Sequence, residues 1–149
     1  MAYYKLIRMP AKGKAVRGRL YEATETRFEE TLIPICDTLE NADHLIPALI
    51  YGIGVTQSPK FKRLLPIVRQ VPGRTGIRFI GVPENFNFWG ERRARETYRC
   101  DEVASQSEGF ERDKGCIRVS GSDEQRLTAR WLAEQSAHEE IRLEICDAE

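Results

Sequence analysis

Acidic residues are missing from a long central stretch of this chain. Between Asp43 and Glu84 there is none, while Lys60, Lys62, Arg63, Arg69, Arg74 and Arg78 fall inside the gap. The formal net charge is nonetheless zero, with 23 Lys and Arg against 23 Asp and Glu. The balancing acid sits toward the two ends, in "TETRFEE" and "AEQSAHEEIRLEICDAE". Electrostatic potential follows the local distribution and not the sum, so a neutral chain with a basic middle still attracts anions there. The same Lys and Arg would also serve as solvated groups on strand edges and loops, and that reading stays open.

Further shortages exclude whole classes. No apolar run approaches the roughly 20 residues of a membrane span, so a membrane partner is not expected. The opening "MAYYKLIRMPAKGK" lacks the charged, apolar and small-residue order of a signal peptide. Four cysteines (Cys36, Cys100, Cys116 and Cys146) are scattered with no C-x-x-C pair, which argues against a zinc site and a dense disulfide framework. The expectation is a reduced, cytoplasmic protein with no metal and no cofactor. There are two histidines, His44 and His138, neither in a motif that aims it at a nucleophile. No Ser/His/Asp arrangement is legible, and "YGIGVTQ" lacks the lysine and following helix of a phosphate loop. Nucleic acid is the less favoured partner, since global charge is zero and no recognition motif is present.

What is present reads as one mostly β (α+β) domain over residues 1–149. It is sandwich-like or barrel-like, with one main helix near the C-terminus. The segments "YYKLIRM" and "AVRGRLYEA" flank the Pro/Gly turn "PAKGK" and predict a hairpin. "RFEETLIPICDTLE" and "IPALIYGIGVTQ" read as strands. Pro66 demotes "KRLLPIVRQV" to an edge strand or extended loop. "TGIRFIGV" reads as a core strand with Ile77, Phe79 and Val82 inward. "CIRVS" is a short strand, and Ser122-Asp123-Glu124-Gln125 is a capping box ahead of the helix "SDEQRLTARWLAEQSA". Leu127, Trp131 and Leu132 form the helix's apolar stripe, and "EEIRLEIC" alternates as a final half-buried strand. Cys36 and Cys146 lie on apolar strands and are expected in the core.

Residues 83–113 stand apart as a long excursion with no sustained period, rich in aromatic residues (Phe86, Phe88, Trp89, Tyr98) and arginines (Arg92, Arg93, Arg95, Arg99). At roughly 30 residues it exceeds the usual loop, and loops of that length are generally functional or disordered. It is expected either to cover a ligand as a lid or to pack as a surface flap.

Cys116 is the chain's best candidate nucleophile. A thiolate is favoured beside cations and a helix N-terminus; Lys114 and Arg118 flank it and the capped helix follows. A general base is the missing element.

Several short motifs recur in the order of a known family. "ICDTLE" (35–40) and "SPKFKRLLPIVRQVPGRTGIR" (58–78) resemble small, often phage- or prophage-borne domains of unknown function. In that family a Cys-Asp-Thr-Leu-Glu strand leads to an Ile-Pro-Ala turn, here Ile46-Pro47-Ala48. An S-P-x-F segment, a V-P-G turn, a G-I-R strand and a late G-C-I element follow, the last here Gly115-Cys116-Ile117. More distantly, "GCIRVSGSDEQRLTARWL" is similar to the signature of the L,D-transpeptidases, cysteine enzymes that cross-link peptidoglycan stem peptides. The likeness implies an L,D-transpeptidase-like β fold with Cys116 as nucleophile and Arg118 beside the acyl group. It also implies a histidine base where Phe79-Ile80-Gly81 carries Ile80, and a second histidine where Lys114 stands.

Ile80 accepts no proton, and losing a positioned base costs acyl transfer a factor of about 10²–10⁴. The expected function is therefore a non-catalytic binding protein on a degenerate transpeptidase-like scaffold, holding a small anionic ligand such as a nucleotide-type signal or a peptide. Arg78, Arg118, Lys114, Trp89, Arg92 and Arg93 are the expected ligand-binding residues, since arginine grips carboxylate or phosphate and aromatics stack. The phage setting implies an accessory or anti-defence role in host cytoplasm. Two alternatives remain: a Cys116-dependent acyl transferase or peptidase on peptidoglycan peptides, and an interaction module that inhibits a host protein. A homo-oligomer is compatible with each.

Overall fold

The computed structural model describes residues 1–25, 27–82 and 115–148; the excursion over 83–113 lies outside them. Alternation builds the first hairpin. In β1 (Ala2–Arg8) Tyr4, Leu6 and Arg8 are buried while their neighbours are half-buried, and β2 (Ala15–Glu25) pairs antiparallel with it, Leu6 opposite Leu20. β3 (Glu30–Asn41) pairs antiparallel with β2 and ends in a 3₁₀ turn at Ala42–His44, capped by the Asn41 side chain. β4 (Ile50–Ser58) and β5 (Arg63–Val68) form a second hairpin. β6 (Phe79–Val82) and β7 (Ile117–Ser120) run parallel, the helix α1 (Gly121–Ser136) follows, and β8 (Ile141–Cys146) inserts between β1 and β4.

The eight strands make one sheet in the order β5-β4-β8-β1-β2-β3-β7-β6. The protein is mostly β with a nearly closed, barrel-like sheet, as its composition of short alternating strands implies. Pro66 sits on β5, an end strand of this order, where a residue without an N–H costs no ladder bond on its open side.

Closure is completed by backbone and side chains together. β5 and β6 meet across a seam bridged through the backbone at Ile67 and Arg78, with the Val68 N–H donating to the Ile77 carbonyl at 2.8 Å. The Arg78 guanidinium donates to the carbonyls of Leu65 (3.0 Å), Thr56 (3.1 Å) and Gln57 (3.3 Å) and to Thr56 Oγ1 (2.9 Å). Glu124, in the first turn of α1, accepts from the Gly81 N–H at 2.9 Å and from Arg63 at 2.7 Å. Gly81 permits this approach: a Cβ there would lie 2.9 Å from Gly121 Cα and 3.1 Å from Glu124 Cβ.

One apolar cluster forms the core. It joins Tyr4, Leu6 and Leu20 to Ile53, Val55, Phe79, Ile117 and Val119, and to Leu143 and Ile145 of β8. Helix α1 contributes Leu127 and Trp131 to it, with Leu132 partly buried against it, the apolar stripe expected from the sequence. The Trp131 ring meets Tyr4 edge-on at 5.4 Å and Phe79 at 5.0 Å, the arrangement aromatic quadrupoles favour. The helix starts earlier than its expected Ser122 cap. Ser120 is the N-cap, accepting from the Asp123 N–H at 3.1 Å, because β7 runs straight into the first turn.

Arg8 of β1 and Glu40 of β3 form a buried two-pronged ion pair at 2.8 and 3.0 Å. Arg8 also reaches the Ile46 carbonyl and Asp147, so it ties β3 and the chain after β8 to β1. Burial raises the Glu40 carboxyl from its ordinary value, and the Arg8 charge opposes that rise.

Candidate functional site

The local sequence "GCIRVS" folds as it does because Gly115 can. Its φ of +87° belongs to the left-handed region, and a Cβ there would lie 2.7 Å from Arg74 Nη1 and 2.9 Å from Ile77 Cδ1. The chain then enters β7, with the Ile117 N–H donating to the Arg78 carbonyl at 2.9 Å. This parallel register sets Phe79 against Ile117 and Ile80 against Arg118.

Alternation along the two strands separates two faces. Phe79, Ile117 and Val119 belong to the core cluster. Arg78, Ile80, Cys116 and Arg118 fall in the other register and are all buried, at 7%, 3%, 9% and 6% exposure. Leu39 of β3, fully buried, continues the row beyond Arg118. Three of the residues expected from the sequence are thereby gathered on adjacent strands, with Ile80 among them at the position where the transpeptidase likeness implies a base. Lys114, Trp89, Arg92 and Arg93 lie outside the described residues.

The Cys116 thiol donates to the Gly76 carbonyl at 3.8 Å. Arg78 feels the Cys116 sulfur electrostatically, but burial is the larger influence and lowers the guanidinium from its ordinary value. Arg74, not singled out by the motif reading, completes the cation set. It is half-buried and donates to the His44 carbonyl at 2.5 Å, against Gly115. Its position in the acid-free stretch, just after the Pro72-Gly73 turn, is the signal that could have found it. Among the described residues neither Arg74 nor Arg78 forms an ion pair with a carboxylate; they donate to carbonyls and one hydroxyl.

The other cysteines differ. Cys36 is buried as expected, and burial pushes its thiol up to about 12, with Asp123 and Asp37 adding to the rise. Cys146 is half-buried and not in the core, and its thiol too is raised by burial and by Glu144. Among the described residues no group of His, Cys, Asp and Glu is placed to hold a metal ion, and no helix is long and apolar enough to cross a membrane.

Compared with known proteins, the chain matches no protein-family model, no curated protein and no solved structure.

Proposed function

We propose that this protein binds a small anionic ligand, without catalysing its turnover, at the cluster of Cys116, Arg118, Arg78 and Arg74. One observation carries the reading: Arg74 packs against Gly115 and Arg78 lies within electrostatic reach of Cys116, with their charges met by carbonyls and one hydroxyl and, among the described residues, by no carboxylate. A buried cation satisfied only by neutral acceptors keeps a positive potential in low dielectric, and an arriving carboxylate or phosphate relieves it. Lys114, Trp89, Arg92 and Arg93 are proposed to complete the ligand's surroundings.

The scaffold is proposed to be a degenerate L,D-transpeptidase-like domain in a phage accessory or anti-defence setting, acting in the cytoplasm. Its ligand is a nucleotide-type signal or a peptide carboxylate. A cysteine acyl-transfer activity has less support, because Ile80 opposite Arg118 offers no proton acceptor. Calorimetry against nucleotide and muropeptide panels tests the proposal. Saturable binding without turnover is the expected result; absence of heat across both panels, or Cys116-dependent hydrolysis of a muropeptide, overturns it.

A further inference from the structure

The stretch Pro34-Ile35-Cys36-Asp37 breaks the regular pairing of β3. Leu20 faces Cys36 but its neighbour Tyr21 faces Pro34, so Ile35 is the extra residue of a β-bulge. Bulges re-aim side chains and recur beside functional sites. Here the bulge interrupts alternation: Cys36 belongs to the core cluster and Ile35, its immediate neighbour, packs against the same cluster.

Beside the bulge, between β3 and the first turns of α1, lies a cleft of about 270 Å³ with Ile35 and Cys36 among its lining residues. Its charged residues come as two ion pairs, one between β2 and β3 and one within α1. Arg19 and Asp37 of the strands meet at 2.9 Å, and Arg126 and Asp123 of the helix pair with each other. Asp123 is fixed further by the Ser120 hydroxyl at 2.7 Å. The cleft thus holds two positive and two negative groups. A simple anion or a simple cation would meet repulsion as well as attraction there, whereas a molecule carrying both charges finds a partner for each. The side chains of Arg19, Asp37 and Arg126 are exposed, at 46%, 39% and 72%, and exchange partners at little cost, while Asp123, at 12%, stays fixed in place. The cleft is at the small end of ligand pockets, which run from about 300 Å³ upward. Its cysteine is a neutral, weakly nucleophilic thiol, so the cleft is suited to holding a ligand and not to attacking it.

We propose that this cleft binds a small zwitterion, a free amino acid or a dipeptide, with its ammonium group against Asp37 and Asp123 and its carboxylate against Arg19 and Arg126. The site is separate from the Cys116 cluster and stands whether or not that cluster binds an anion.

Calorimetry on the full chain with leucine and with the dipeptide Ala-Ala tests it, with N-acetylleucine, leucinamide and acetate as singly charged probes. At least one zwitterion binds saturably, and which of the two does so identifies the source. Removing either charge weakens binding by about tenfold, the worth of one charge-assisted contact. The double variant Arg19→Gln/Arg126→Gln, at exposed positions, weakens it at least as much while far-UV circular dichroism stays unchanged. Arg74→Gln, at the Cys116 cluster, leaves it unaltered. Equal binding of acetate or of the capped probes, unchanged affinity in the double variant, or no heat from either zwitterion overturns the proposal.

Discussion

Ile80 and Arg118 stand opposite each other in the parallel register of β6 and β7, both buried and both off the main core cluster. An aliphatic side chain thus shares a row with a guanidinium, and the neighbouring row is Arg78 with Cys116. The arrangement has the positive charge of an anion site and, at Ile80, no group able to move a proton. The proposal of binding without catalysis rests on that combination.

Arg78 has a structural job, measurable apart from the binding role proposed for it. Its guanidinium is bonded to three carbonyls of β4 and β5 across the barrel seam. Arg78→Ala strips those carbonyls of a charged donor and lowers stability by about 2–4 kcal/mol. Urea unfolding checks this, and Arg78→Lys, which restores a single point donor, recovers part of the loss.

Cys36 gives a pH signature. Its thiol is raised from 9.0 to about 12 by burial. A group raised in the folded state adds stability that is complete below its unfolded value and is lost as pH climbs through the folded one. Unfolding free energy therefore declines between pH 9 and 12, and Cys36→Ala flattens that decline. At pH 8 Cys36 alkylates about a thousandfold more slowly than a free thiol, from its thiolate fraction alone. Mass spectrometry of iodoacetamide adducts reads the rate.

Gly81→Ala introduces a methyl group 2.9 Å from Gly121 Cα, where backbone and not a flexible side chain must yield. The helix start shifts away from β6 and the Glu124 bond to the Gly81 N–H weakens. A loss of about 1–3 kcal/mol is expected in thermal or urea unfolding.

Glu40→Ala leaves Arg8 buried without its two-pronged partner and costs about 3–5 kcal/mol. Asp147→Asn, at the exposed end of the same network, costs under about 1 kcal/mol. The contrast between the two in one denaturation series identifies the buried pair as the part that matters.

Three strands were readable from their alternation: Tyr4 and Leu6, Ile53 and Val55, and Ile141, Leu143 and Ile145 mark one face apiece. The Pro/Gly turn and the helix's Leu127 and Trp131 were equally legible. Contacts distant in sequence were not. Glu124 reads as an acid placed for the helix dipole, yet it is buried and bonded to Gly81 and Arg63. The helix cap moved to Ser120 because both serines offer the same hydroxyl and only the approach of β7 chooses between them. In the candidate site, Cys116, Arg78, Arg118 and Ile80 were legible as motif residues. Arg74 was not, because its place beside Gly115 depends on the fold of the Pro72-Gly73 turn.

The central claim, an anion held by the cations around Cys116, is tested most directly by one titration. The ligand that gives the strongest saturable heat with the parent protein is measured against Arg74→Ala and Arg118→Ala, with stability followed in parallel. Each variant is predicted to weaken binding by about tenfold or more, Arg74→Ala with its urea midpoint nearly unchanged. Affinity that survives both substitutions contradicts the account.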